Sequence, residues 1–274
     1  MRMMPVRWLP TLLFAFLFST CPGMASSDEL VDLELVLAVD ISHSMDREEQ
    51  RLQREGYIAA LRHRDIIRAI RTGPLGRIAV AYMEWGDEDY QAIVVPWRTI
   101  ASRRDADAFA RELLSRPILQ AKRTSISNAL RVATGMILNN TIRSTRQIID
   151  VSGDGPNNSG YPVAVARDAA VRQGIIINGL AFVIERPADM SSFFSVSDID
   201  QYYRHCVIGG PGAFMMPVRN KNEFETSIRR KLLLEIARPL PTKRSLLHKA
   251  QFVRPQSSYD CLIGEKRWDD FQKE

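Results

Sequence analysis

A chain of 274 residues, 45% hydrophobic and 25% charged, has the make-up of an ordinary globular protein, which sets aside fibrous, low-complexity and disordered classes. One large domain or two small ones fit that length. The net charge of +5 is modest, and arginines interleave with acids along the first predicted helix, which argues against a nucleic-acid or anionic-lipid surface.

The opening segment, MRMMPVRWLPTLLFAFLFSTCPGMASS, has a basic start, an apolar run from Trp8 to Phe18 and small residues up to Ala25. This is the layout of a secretory signal peptide over residues 1–25, and the run is too short to span a bilayer. A lipid anchor at Cys21 is the alternative, although Phe18-Ser19-Thr20 is bulky for such a site. No later run reaches the roughly 18 apolar residues of a membrane helix. No transmembrane anchor is therefore expected, and the mature protein is read as exported, periplasmic or secreted. Once Cys21 has left with the signal, Cys206 and Cys261 remain in an oxidising compartment. A disulfide is the preferred reading and two free thiols the other.

From residue 28 apolar runs alternate with helical patterns. Strands are expected at 33–41, 77–85, 92–97, 147–152 and 174–183, and their near-continuous apolar character suits strands covered on both faces. Asp46 with Glu49 makes a capping pair for a helix expected to run to residue 71, closed by Gly73-Pro74. Gly86-Asp87-Glu88-Asp89 lies between the second and third strands, which predicts a hairpin. Ile126, Leu130, Ala133 and Ile137 mark one helical face, and Phe224, Ile228, Leu232 and Ile236 another. The expected fold class is α/β, a mainly parallel sheet with one antiparallel edge and helices on both faces. It occupies residues 28–238. The extension at 239–274 lacks periodicity and is expected to be an extended tail pinned back onto the domain. Gly209-Gly210-Pro211-Gly212 lacks the Gly-Lys-Ser/Thr ending of a phosphate loop and reads as a tight turn. Asn157-Asn158-Ser159 is a formal glycosylation sequon.

Three loops carry candidate chemistry. The first strand ends in Asp40-Ile41-Ser42-His43-Ser44, a hydroxyl-rich loop at Lys122 to Ser127 leads into a helix, and Asp154-Gly155 follows the fourth strand. Each has a plain explanation alone, as a helix cap or a turn. In open α/β sheets, however, ligands collect beyond the carboxyl ends of strands. Together these loops offer two carboxylates, Asp40 and Asp154, and three hydroxyls, Ser42, Ser44 and Thr124. Such hard oxygen ligands suit a divalent cation, Mg²⁺ first, with Mn²⁺ or Ca²⁺ as alternatives. The sequence holds no closely spaced His/Cys set for zinc. His43 is either a plain rim residue or one facing a partner, where it would make binding pH-dependent. Glu84, Asp87, Glu88 and Asp89 are either a solvated turn or a second cation site.

On Asp40-x-Ser42-x-Ser44, Thr124 and Asp154-Gly155 the sequence resembles the von Willebrand factor A domain over roughly residues 31–237. It is similar, more closely, to secreted bacterial proteins of that fold grouped as a domain of unknown function, a likeness that takes in Tyr202 to Phe214. The resemblance implies a Rossmann-like fold with a metal-ion-dependent adhesion site. Ser42, Ser44 and Thr124 would touch the ion, with Asp40 and Asp154 nearby, directly or through water. A partner protein's exposed Asp or Glu would complete the coordination. The family often has Gly where Arg123 stands here; a cation at that place either weakens metal binding or recruits an acidic partner, so Arg123 joins His43 as a partner-contact candidate. The expected function is an exported, non-enzymatic, metal-dependent protein-binding module for adhesion or scaffolding. The competing reading is a metal-dependent phosphohydrolase with Asp40 as nucleophile. Against it, Ser42 stands where the phosphatase pattern usually has a second Asp.

Overall fold

In the computed structural model, which describes residues 29–184, 196–237 and 259–273, the run Glu34–Asp40 is a strand buried along its whole length. Its side chains alternate between faces. Leu35, Leu37 and Val39 join one apolar core, and Val36 and Ala38 join the other. A continuous apolar run thus serves two half-cores. The expected signal peptide lies outside the described residues.

The described residues begin with β1 (Glu29–Val31), β2 (Glu34–Asp40), α1 (Arg47–Leu61), α2 (Arg64–Arg71) and β3 (Ile78–Trp85). It continues through β4 (Gln91–Ile100), α3 (Arg103–Leu114), α4 (Ile126–Leu138), β5 (Ile142–Ser144) and β6 (Gln147–Gly153). Then come α5 (Val163–Arg172), β7 (Ile176–Phe182), a short helix α6 (Ile199–Tyr202) running into a π-turn at Tyr203–Val207, and β8 (Met215–Val218). The last described helices are α7 (Phe224–Ala237) and α8 (Ile263–Phe271). The main sheet has the order β4-β3-β2-β6-β7-β8, parallel except for the β3–β4 hairpin. Helices α1, α2, α3 and α7 cover one face, with Tyr57, Ile66, Phe109 and Ile228 in its core. Helices α4, α5 and α6 cover the other, through Leu130, Ala166 and Tyr202. This is the α/β architecture the sequence predicts.

Several boundaries differ, each for a local reason. The helix expected to reach residue 71 breaks after Leu61, because His63 turns extended (φ −71°, ψ 138°) and its Nδ1 accepts from the Asp65 amide at 3.2 Å, starting α2. Leu61, Ile66 and Ile70 stay on one apolar core across the break, so periodicity does not register it. β8 was not expected; its Pro217 is tolerated because β8 is an edge strand paired only with β7. The glycine loop is the tight turn expected, with Gly210 and Gly212 at φ 92° and 75°, values that glycine reaches without steric cost.

The tail is not extended where it is described. It forms α8, and the Cys206–Cys261 disulfide, with Cα atoms 5.5 Å apart, ties it to the π-turn. The paired reading of the two cysteines is therefore the one the molecule adopts. Replacing both with serine is expected to cost about 4 kcal/mol by loop-closure arithmetic over the 55-residue separation. A lowered urea midpoint would register that loss.

Candidate metal centre

Between β2 and α1 the chain turns through Ser42-His43-Ser44. Helix α1 is capped by Asp46, whose Oδ1 accepts from the Glu49 amide at 2.7 Å while Glu49 Oε2 accepts from the Asp46 amide at 3.0 Å. That reciprocal box leaves Asp40, Ser42 and Ser44 no capping task there. Asp40 Oδ1 instead accepts from the Ser42 amide at 2.7 Å.

The start of α4 shows the same division of labour. Ser125 occupies the cap position without a side-chain capping bond. The Ser127 amide donates to Asn157 Oδ1 at 2.9 Å, and the Thr124 amide donates to Asn158 Oδ1 at 3.0 Å. Both asparagines come from the loop after β6: Asn157 caps α4 from outside, and Asn158 holds Thr124, the residue before the cap position. The hydroxyls group with one another and with Asp154. Ser42 Oγ and Ser44 Oγ share a bond of 2.9 Å, and Ser44 Oγ donates to Asp154 Oδ1 at 2.6 Å. A methyl group on Gly155 would stand 3.6 Å from Thr124 Oγ1 and 4.0 Å from Ser44 Oγ. The structure thus brings together Asp40, Ser42, Ser44, Thr124 and Asp154, drawn from three loops at the carboxyl edge of the sheet.

Electrostatics single out Asp40. It is completely buried, and burial first, then the nearby Asp154 carboxylate, push its pKa well above the ordinary range. Its Oδ2 is buried with no hydrogen-bond partner. The Tyr203 hydroxyl is in the same condition beside it, since a Cβ on Gly153 would meet Oδ2 at 2.6 Å and that hydroxyl at 2.7 Å. A buried carboxylate oxygen without a donor is expensive, and a cation is the missing counterpart. The donor set of carboxylates and hydroxyls fits a hard divalent ion. Among the described residues no three His, Cys, Asp or Glu side chains gather into a metal site, so the hydroxyls are essential to the fit.

The other candidates separate. His43 is exposed on the rim. Arg123 is half-buried, donates to the Asn158 carbonyl and lies 4.0 Å from the centroid of the Trp268 ring of α8; it is engaged by its own chain. Glu84 has left the hairpin turn, pairing with buried Arg54 at 2.5 Å. Asp87 Oδ1 accepts from the Asp89 amide at 3.2 Å, as in a plain turn. Sequence reasoning missed the capping role of Asn157 and the hold of Asn158 on Thr124, visible there only as a sequon; Asn157 is completely buried.

Sequence reasoning also missed a buried charge cluster joining α7 to β6. Lys231 Nζ lies 2.6 Å from both Asp150 Oδ1 and Glu235 Oε1, with all three side chains fully buried. Glu235 Oε1 also accepts from Asn178 Nδ2 at 2.9 Å. Burial, and then Asp150, lift the Glu235 pKa to about 7 against the pull of Lys231.

Solved structures with a similar fold include proximal thread matrix protein 1 from the mussel byssus, at 13% identity and TM-score 0.51, covering 75% of this chain and 46% of that one. The pilus adhesin SpaC from Lactobacillus rhamnosus GG aligns at 13% identity and TM-score 0.52, covering 75% of this chain and 30% of that one. A von Willebrand factor type A structure from Catenulispora acidiphila aligns at 14% identity and TM-score 0.48, covering 77% and 44%. This chain spans less than half the length of each of these proteins. No curated protein matches it. The α/β fold is shared with the mussel matrix protein and the pilus adhesin. A family model described as "Protein of unknown function (DUF1194)" matches residues 30–240, and the chain belongs to that family.

Proposed function

We propose that the protein is an exported, metal-dependent protein-binding module. Ser42, Ser44 and Thr124, with Asp40 and Asp154 directly or through water, hold a divalent cation, Mg²⁺ first and Mn²⁺ or Ca²⁺ as alternatives. The observation that carries this reading is the buried, unpartnered Oδ2 of Asp40 beside hydroxyls that cap no helix. Hydroxyls are neutral and two carboxylates only balance a divalent charge, so the ion keeps affinity for one further hard anionic oxygen. A partner's Asp or Glu supplies it, approaching past exposed His43 and half-buried Ser44. The fold shared with a pilus adhesin and a thread matrix protein supports a protein partner. Export rests on the signal-like first segment, and among the described residues no helix is long and apolar enough to cross a membrane. The phosphohydrolase reading is weaker, because Asp40 is fully buried and its Oδ1 is held by the Ser42 amide.

Calorimetric titration of the mature protein with Mg²⁺ and Mn²⁺ is expected to give saturable binding that Asp40→Ala abolishes, with an unchanged circular dichroism spectrum. Indistinguishable isotherms for the two proteins would discard the adhesion-site reading. A pull-down from the native envelope, with and without chelator, then identifies the partner.

A further inference from the structure

We infer that α8, which lies beyond the matched family region, is a positioning element of this centre and acts through Asn157; the inference rests on the metal reading above. Asn157 is buried and bonded on every side. Its amide donates to the Tyr202 hydroxyl at 3.1 Å, and its Oδ1 accepts from the Ser127 amide at 2.9 Å. Its Nδ2 donates to the carbonyls of Ser159 and Tyr161, at 3.2 Å each, and to Glu265 Oε1 at 2.8 Å. The first two acceptors belong to its own loop. Glu265 belongs to α8. One side chain therefore sets the loop that carries Asp154 against the segment that carries Thr124, and α8 holds that side chain from outside.

Four contacts press α8 and the residues just ahead of it onto the site. Gly264 sits so close that a Cβ there would stand 2.0 Å from the Asn157 carbonyl oxygen and 3.1 Å from Pro156 Cβ. Trp268 stacks against Arg123, the neighbour of Thr124. Ahead of the helix, Cys261 is bonded to Cys206, and the Tyr259 ring stacks on His205 with centroids 5.7 Å apart. Both anchor residues lie in the π-turn that carries Tyr203, whose hydroxyl borders Asp40 across Gly153. Helix α8 thus touches two of the three loops that carry proposed oxygen ligands, those of Thr124 and Asp154, while supplying none of the proposed ligands itself.

The test uses the full mature chain with Gly264→Ala and Glu265→Ala, which leave every proposed ligand and both cysteines in place. In metal-free protein, exchange of the Ser127 amide is expected to accelerate roughly tenfold or more in the variants. Mg²⁺ affinity by calorimetry is expected to fall roughly 10- to 100-fold, the range for loss of an outer support of metal ligands. Exchange in β2 and β6 should not change, which separates positioning from general unfolding. Unchanged Ser127 exchange in both variants overturns the inference, whatever the isotherms show. Faster exchange with unaltered Mg²⁺ affinity overturns the link to the site. If wild-type protein gives no heat with Mg²⁺, Mn²⁺ or Ca²⁺, the metal reading falls; accelerated Ser127 exchange still supports the hold of α8 on Asn157, and unchanged exchange overturns it.

Discussion

Lys231→Met is expected to lower the unfolding free energy by about 3–5 kcal/mol, the cost of removing one member of a buried ion cluster. Lys231 Nζ satisfies two carboxylates at 2.6 Å from a position with no solvent access. Asp150 Oδ2 and Glu235 Oε2 already lack partners. Without the ammonium, both acids would face each other uncompensated, and α7 would lose its polar tie to β6. Urea denaturation of the variant beside wild type measures the loss; a difference under about 1 kcal/mol would show that the cluster relaxes by protonation or by admitting water.

Glu235→Gln is the companion measurement, with the opposite sign. Glu235 titrates near 7 in the folded protein, above its ordinary 4.5, so the folded state holds that proton more tightly than the unfolded chain. Its contribution is complete below pH 4.5 and is lost as pH rises through about 7. Urea midpoints of wild type should therefore fall across this window, and Glu235→Gln should flatten the fall. Equal slopes would remove Glu235 as its source.

Asp40→Asn is expected to stabilise the metal-free protein and to abolish its stabilisation by metal. The amide keeps an oxygen for the Ser42 N–H but removes a buried charge from beside Asp154. Because the Asp40 pKa is raised, its own contribution to the stability of the metal-free protein is complete below the ordinary value of 3.8 and is lost as pH rises through the raised one. A cation inverts this dependence, since it binds the ionised carboxylate, so metal affinity should increase with pH. At metal concentrations about 100-fold above Kd, wild type should gain roughly 2.7 kcal/mol and the variant nothing measurable. Thermal unfolding with and without Mg²⁺ reads both effects. Equal gains in the two proteins would remove Asp40 from the site.

The strands and the hairpin were legible because their information is local. β2 needs only a run of apolar residues, and the β3–β4 turn needs only its glycine and acids. The Asp46–Glu49 box was legible for the same reason, as both partners lie within one helical turn. His63 was not, since the apolar face runs through it unbroken. Helix α8 was not, because its place depends on a disulfide to a residue 55 positions away and on a glycine fitted against another loop.

Residue order alone carries the α/β alternation, the sheet edge to which the three loops run, and the oxygen-rich character of the residues they bring. Periodicity and residue chemistry settle those matters without long-range contacts. Whether those oxygens serve helix ends or are left to group beside Asp40 depends on long-range packing. A capping group is replaceable by any acceptor that reaches the same amide. In this protein Asp46 reaches it from the adjoining turn and Asn157 from a loop thirty residues away, and the second of these contacts exists only after the sheet has assembled.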